Sequence, residues 1–173
     1  VHLFSHCGGK LKWDEKLALF RPDNSAKPSS YDGLPFVTAV GSANGFLLIQ
    51  DVLKDAWEAC LDVIKAAGGK IRKKNFKEIF QECENTLEAI WIAPNDADIK
   101  KRAKIWLDFQ NDVKVNDVEL AAREGFESVE HAKRYTTLGM ATDQGKLSNI
   151  NGLAILSSSL SKEIPKVGTT TFR

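Results

Sequence analysis

Apolar residues recur every three or four positions across residues 49–64, and this is the strongest periodic signal in the chain. Ile49, Val52, Leu53, Ala56, Trp57, Cys60 and Ile64 share one helical face, and Asp51, Lys54, Asp55, Glu58, Asp62 and Lys65 take the other. Gly68-Gly69 should stop this helix. A second amphipathic helix is expected with Phe76, Ile79, Phe80, Cys83 and Leu87 in register. Ahead of the long helix, Leu34 to Val40 reads as a buried strand that meets Gly41-Ser42-Ala43-Asn44-Gly45 and turns at once into it. Val1 to Phe4 reads as a short strand ended by Gly8-Gly9. Leu17, Leu19 and Phe20 form a strand-like run stopped at Arg21-Pro22-Asp23-Asn24, and 24–33 is a loop.

Further on, Glu88 to Ala93 and Lys104 to Phe109 pair in the reading as a β-hairpin with a long charged turn. The last third is helical. Asn116 or Asp117 caps a helix ended by Gly125, Ser128 caps another, and a third runs from about Ser148 to a stop at Pro165. The fold class is therefore α/β to α+β, with no internal repeat.

Composition narrows the function classes. A chain of 173 residues with 43% hydrophobic and 27% charged content makes one ordinary globular domain or two small ones. Its net charge of +1 gives no global case for a nucleic-acid or membrane partner. No apolar run approaches the ~18 residues of a membrane helix, and no signal-peptide pattern is present. Val1 in place of Met implies a removed segment or a cut from something longer. Cys7, Cys60 and Cys83 are odd in number and lack a C-x-x-C pair, which points to a reducing, cytoplasmic setting. Cys60 and Cys83 fall on apolar helical faces and are expected to be buried. Cys7, with His6 and His2, offers too few ligands for a metal and reads as a strand end.

Three stretches could carry chemistry. At 36–66 a strand, a Gly-x-x-x-Gly turn and a helix start would bring backbone N–H groups to one point. Gly41, Ser42, Asn44 and Gly45 would then suit a phosphate or a flavin edge, against the alternative of a plain α/β connection. At 133–146, Lys133, Arg134, Thr136, Thr137, Gln144 and Lys146 combine cations, hydroxyls and an amide between two helices. That is the donor set of a phosphate site, or else a solvated helix–helix loop. The basic run Lys70 to Lys77 could touch nucleic acid, but suits a solvated linker better. No H-E-x-x-H, G-x-S-x-G or Walker A pattern occurs. His131 lies one turn after Ser128, where capping or packing explains it better than general-base work.

From Trp106 the chain takes on a family likeness. Trp106-Leu107-Asp108-Phe109-Gln110-Asn111-Asp112-Val113, Ala121-Ala122-Arg123-Glu124-Gly125-Phe126, Lys133-Arg134-Tyr135-Thr136-Thr137, Gly139 to Lys146 and Asn151-Gly152-Leu153-Ala154 resemble the alpha subunit of heterotetrameric sarcosine oxidase. Gly168 to Arg173 resembles the lead-in to that family's folate-binding domain. Val1-His2-Leu3, Lys12-Trp13-Asp14-Glu15 and Gly41 to Gly45 resemble, more loosely, the end of its pyridine-nucleotide-reductase-like domain. The resemblance implies residues 1–69 as the end of that Rossmann-like domain and 70–103 as a helical linker with the first hairpin strand. Residues 104–173 would be a small helical module like the bacterioferritin-associated ferredoxin (BFD-like).

It also implies oxidative demethylation of sarcosine to glycine, a one-carbon unit for tetrahydrofolate, and hydrogen peroxide. NAD and folate would bind the alpha subunit and FAD the beta subunit, with FMN at their interface. Proline or opines are the substrates of related architectures. In cluster-bearing relatives of the helical module four cysteines hold a [2Fe–2S] cluster. The resemblance places Asp108, Gln110, Asp143 and Ser148 at those positions, so no cluster is expected. A polar network is expected instead, with Lys146 and Arg134 pairing the carboxylates and caps at Asn116 or Ser148. The segment would be non-catalytic and would present residues 133–146 to the beta subunit or to the FMN phosphate. It would also expose apolar surface and tend to self-associate. The alternative is a stand-alone α/β module that binds a phosphate ligand or a protein.

Overall fold

Two short antiparallel ladders and a set of helices make up the computed structural model, which describes residues 1–71, 87–93, 98–102 and 104–168. They divide into two compact units, Val1–Leu87 and Glu88–Arg173.

In the first unit, side chains set the register of a hairpin. Strand β1 (Leu11–Asp14) pairs with β2 (Leu19–Pro22), placing Trp13 opposite Phe20 and Asp14 opposite Leu19. The two rings meet edge to face with centroids 5.0 Å apart, and Asp14 Oδ2 lies 2.8 Å from Arg21 Nε. Cross-strand aromatic and charge pairs of this kind stabilise one register over its neighbours. The expected run through Leu19 and Phe20 is thus a strand, and 24–33 is an irregular loop, as expected.

Two of the strands expected in this unit are absent. Val1–Phe4 is not a strand, because His2–His6 form helix α1 with Cys7 at its C-cap. So short an apolar run carries no period that separates helix from strand. The ending decides: Gly8 takes φ 93°, and the N–H groups of Gly8 and Gly9 donate back to the carbonyls of Ser5 and Phe4. That pair of bonds is a Schellman ending. Leu34–Val40 forms no ladder, and Leu34 and Phe36 are 64% and 57% exposed. Aromatic and β-branched residues make a strand only where a partner completes the backbone bonds. Among the described residues this run has only an isolated bridge, Ser29 to Pro35.

Helix α2 (Ile49–Ala66) is the one the periodicity announces. Its ending is the same device, with Gly68 at φ 71° and the Gly68 and Gly69 N–H groups on the Lys65 and Ile64 carbonyls. It does not follow at once from Gly45. Gly41–Asn44 form a 3-10 turn, Gly45 is left-handed, and the helix starts after Leu48. No residue of α2 is buried, and Cys60, expected to be buried, is exposed. An apolar stripe sets the phase of a helix; it does not guarantee a cover. The second amphipathic helix and Cys83 lie outside the described residues, apart from Leu87.

The second unit departs from the expected hairpin. Residues 87–93 carry no strand, and α3 (Ile99–Arg102) lies further along. Strand β3 (Trp106–Asp108) instead pairs with β4 (Val113–Lys114) across the turn 109–112. A short turn closes at lower entropic cost than the long loop the other pairing requires. Strand β4 runs straight into α4 (Val115–Arg123), whose N-cap is Lys114 rather than Asn116 or Asp117. Asp117 is the third helical residue, and its Oδ2 accepts the Lys114 N–H at 2.8 Å, the return half of a capping box. Gly125 ends α4 as expected, its N–H and that of Phe126 returning to Ala122 and Ala121. Helices α5 (Val129–Thr136) and α6 (Asn149–Ser159) start at Ser128 and Ser148 as expected, but α6 stops at Leu160, short of Pro165.

Helix α6 is the centre of this unit. Gly152, Leu153, Ala154, Ile155, Leu156 and Ser157 are buried in succession, so it is covered all round, whereas its neighbours are amphipathic. Val115, Val118 and Ala121 of α4, Val129 and Ala132 of α5, and Leu107, Val113, Leu138 and Val167 complete the core. Gly152 admits Leu138, whose Cδ2 would lie 2.2 Å from a Cβ at that position. No described helix is long and apolar enough to cross a membrane.

Urea unfolding should rank these sites. Leu156→Ala should destabilise by about 3 kcal/mol through the cavity it leaves, and Gly152→Ala by about 1–3 kcal/mol through overpacking. Leu53→Ala on α2 should cost under about 1 kcal/mol. Equal losses at Leu53 and Leu156 would contradict the placement of the core.

A pH series should isolate one surface pair. Glu127 accepts a 2.5 Å bond from Lys162 Nζ, and that bond and the Lys162 charge hold its carboxyl below the ordinary range. Because the folded pKa is depressed, the contribution is present above the unfolded value and is lost as pH falls through the folded one. Glu127→Gln should therefore lower stability slightly at neutral pH, less so in high salt. It should be neutral once the medium is acid enough to protonate Glu127 in both states. A deficit that persists there would contradict the ion-pair origin.

Candidate functional site

One tight turn in the second unit holds a long loop at three points. Asp108 ends β3 and is 3% exposed. Its Oδ1 accepts the N–H groups of Gln110 (2.9 Å) and Asn111 (3.1 Å), the local bonds of an Asx turn. Its Oδ2 reaches across to the Gly139 N–H at 2.7 Å. Asn111 Nδ2 donates to the Thr137 carbonyl at 3.0 Å, and the Thr142 hydroxyl donates to Gln110 Oε1 at 2.9 Å.

The start of α6 grips the other side of the loop. Gly139 and Gly145 have φ of 64° and 72° and face Asn149; a Cβ on Gly139 would lie 2.1 Å from Asn149 Oδ1. Asp143 Oδ1 accepts the Gly145 N–H at 3.1 Å. Ser148 is 1% exposed, and its hydroxyl has no protein partner.

The four positions expected to converge, Asp108, Gln110, Asp143 and Ser148, thus belong to one turn and the loop it holds. Arg134, expected to pair with a carboxylate there, is not what satisfies Asp108. Arg134 Nη2 lies 3.6 Å from Glu130 Oε2, and Asp108 is satisfied by backbone N–H groups. Backbone donors are already ordered, whereas a lysine or arginine must give up side-chain entropy to reach a buried carboxylate. Nor do Asn116 or Ser148 cap with their side chains, since Asn116 Oδ1 and Ser148 Oγ both lack a partner. Among the described residues no group of three or more His, Cys, Asp or Glu is placed to hold a metal ion.

The candidates at 133–146 divide by chemistry. The Thr136 hydroxyl donates to the Ala132 carbonyl (2.8 Å) and that of Thr137 to the Thr136 carbonyl (2.6 Å). Both protons are committed, so of the six candidates Lys133, Arg134, Lys146 and the Gln144 amide keep side-chain donors for an anion. Lys133 and Arg134 occupy the last turn of α5, where cations also offset the helix dipole. Gln144 (φ 55°) and Lys146 are exposed on the loop.

In the first unit, Gly41, Ser42 and Asn44 lie in the 3-10 turn and Gly45 follows it. The Gly41 N–H donates to Asp55 Oδ2 at 2.7 Å, and Gly45 and Phe46 donate to the carbonyls of Ser42 and Gly41. A Cβ on Gly41 would lie 2.9 Å from Val52 Cγ1, and one on Gly45 3.1 Å from Leu17 Cδ1. Close approach at these glycines is by the protein's own side chains. Sequence reasoning did not single out Asn111 or Asn149. Their signal was an Asp-x-x-Asn turn and a Gly four residues before the Asn that opens a helix.

Comparison with known proteins adds the kinship. Residues 102–173 match the family model described as Sarcosine oxidase A3 domain. Over its whole length the chain is 34% identical to sarcosine oxidase subunit alpha of Rhizobium meliloti (strain 1021). It is 32% and 31% identical to the subunits alpha of Corynebacterium sp. strains P-1 and U-96, again over its whole length. It covers 16%, 17% and 17% of those proteins, so the chain spans about a sixth of the length of the curated relatives it matches.

Two glycine variants should separate crowding from backbone conformation. Gly125 is left-handed with open space around it, while Gly139 is left-handed and pressed against Asn149. Gly125→Ala should cost about 1 kcal/mol, and Gly139→Ala about 3 kcal/mol or more, since strain and overpacking add. Thermal unfolding that ranks them equal would contradict the tight packing of the loop on α6.

Proposed function

The chain belongs to the sarcosine oxidase alpha-subunit family, and on that premise we propose that it is a non-catalytic segment of a flavin-dependent amine oxidase. The observation that carries this reading is the likeness to three such subunits across the entire chain. The reaction assigned to the parent enzyme is oxidation of sarcosine to glycine, a one-carbon unit and hydrogen peroxide. Its other subunits, chiefly beta, are the partners. Within the parent, NAD and tetrahydrofolate belong to alpha, FAD to beta and FMN to their interface, and the setting is cytoplasmic. The first unit is then the end of a Rossmann-like domain and the helical part of the second a BFD-like module.

The chain's own residues have a limited task on this reading. FMN, where bound, supplies redox chemistry. Lys133, Arg134 and Lys146, with Gln144, contribute charge and donors toward its phosphate or toward an acidic face of the neighbouring subunit. Thr136 and Thr137 shape the backbone, because their protons are already used. The turn at Gly41, Ser42, Asn44 and Gly45 serves the NAD domain as packing, with the Asp55 carboxylate on the N–H an anion would need.

An iron–sulfur cluster does not fit. Thiolates hold such clusters, and the four relevant positions carry two carboxylates, an amide and a hydroxyl, with both Asp108 oxygens engaged. A catalytic base is missing from the reading as well. Among the described residues, Asp23, Asp32 and Glu127 have carboxyls held below their ordinary range by serine or lysine neighbours, a surface effect and not the burial that poises a general base.

Flavin binding in the assembled alpha–beta complex tests this. Lys146→Ala, alone and with Lys133→Ala, should weaken FMN binding by about tenfold or more per lost charge-assisted bond, while riboflavin, which lacks the phosphate, should bind unchanged. Unaltered FMN affinity together with unaltered subunit assembly would sink the assignment of these cations. The 173-residue chain alone should release no peroxide from sarcosine, and turnover by it would overturn the non-catalytic role.

A further inference from the structure

We propose that Asp108 is a positioning residue whose carboxylate fixes the backbone path of residues 137–142, the segment leading to Gln144 and Lys146. This deepens the reading above only in saying why that loop matters, since the geometry stands without any ligand. The carboxylate does two jobs with two oxygens. Oδ1 closes the local turn on Gln110 and Asn111, and Oδ2 takes the Gly139 N–H, thirty-one positions away in sequence. Asn111 and Gln110, set by that turn, then bind Thr137 and Thr142. One buried group thus organises every bond by which the turn holds the loop.

The choice of an acid is specific. A turn-forming residue at this place could be Asp or Asn, because either oxygen closes an Asx turn. The long-range bond removes that freedom. Every group facing the side chain is an N–H, and an amide would have to turn its own NH2 toward one of them, leaving a buried donor against a donor. A carboxylate accepts on both sides, and its buried charge is met by donors rather than left bare. Gly139 completes the arrangement. Its left-handed backbone and the Asn149 side chain pressed against it leave no room for a Cβ.

Asp108→Asn in the 173-residue chain, followed by amide hydrogen exchange, tests the proposal. The two local bonds should keep the amide oxygen, so Gln110 and Asn111 stay protected. The Gly139 amide and its neighbours to Thr142 should exchange about tenfold faster or more, while Leu153–Leu156 in α6 are unchanged. No acceleration at 138–142, or the same factor across the whole second unit, would overturn it, the latter because it signals general loss of stability. Should Asp108→Asn fail to fold, Asn111→Ala keeps the carboxylate and removes only the link to Thr137. It should speed exchange in the same segment by a smaller factor, and no change there would equally overturn the proposal. Since no flavin is present, this outcome is independent of the FMN measurement.

Discussion

A helical stretch buried on every side has no solvent face on which to place an ill-fitting residue, and the middle of α6 is such a stretch. Six successive residues from Gly152 to Ser157 are covered. Helices α4 and α5 can line only part of its circumference, so other chain must close the rest. Leu138 does so by entering against Gly152, and Val167 returns to pack beside α5, where its carbonyl accepts the Val129 N–H at 3.1 Å. Buried Ser157 is tolerable because its hydroxyl donates to the Lys162 carbonyl just past the end of the same helix. The path of the loop after α5 thus follows from covering α6: once Leu138 is in place, Gly139 is carried to Asp108 and Asn149.

Local features were legible wherever the physics is local. The α2 stripe, the stop at Gly68-Gly69, the stop at Gly125 and the starts at Ser128 and Ser148 depend on a few neighbouring residues, and each is found where the sequence places it. Pairing is different. The apolar run at 36–40 and the hairpin drawn from 88–93 to 104–109 required a choice of partner, which local composition does not encode. The structure leaves the first without a ladder and gives β3 a nearer partner in β4. Burial is non-local too, and so Cys60 could be assigned its helical face but not its exposure.

For the candidate site the same division holds one level up. The four positions drawn from the resemblance lie in one turn and its loop, but residue types did not show what satisfies them. Pairing Asp108 with Lys146 or Arg134 matched opposite charges and ignored the backbone, whose N–H groups are invisible in a sequence and are the stronger competitors in a buried turn. Glycines were misleading for a related reason. Gly41 and Gly45 suggest room for a ligand, yet each faces a side chain of this protein, Val52 or Leu17. A glycine marks a close approach without saying by what.

The cations of the loop then differ in how much the fold itself explains. Lys133 and Arg134 end α5, where the helix dipole favours positive charge, and Arg134 also faces Glu130. Their presence needs no ligand. Lys146 lies two residues before the N-cap of α6, the end where the dipole disfavours a cation. It is exposed beyond the segment 137–142 that Asp108, Asn111 and Gln110 tie down, so the backbone leading to it is held before any contact forms. Pre-ordering of that kind lowers the entropy lost on binding. On the proposed reading, Lys146, a charge the helix dipole does not favour, is the cation of this loop that would meet the phosphate.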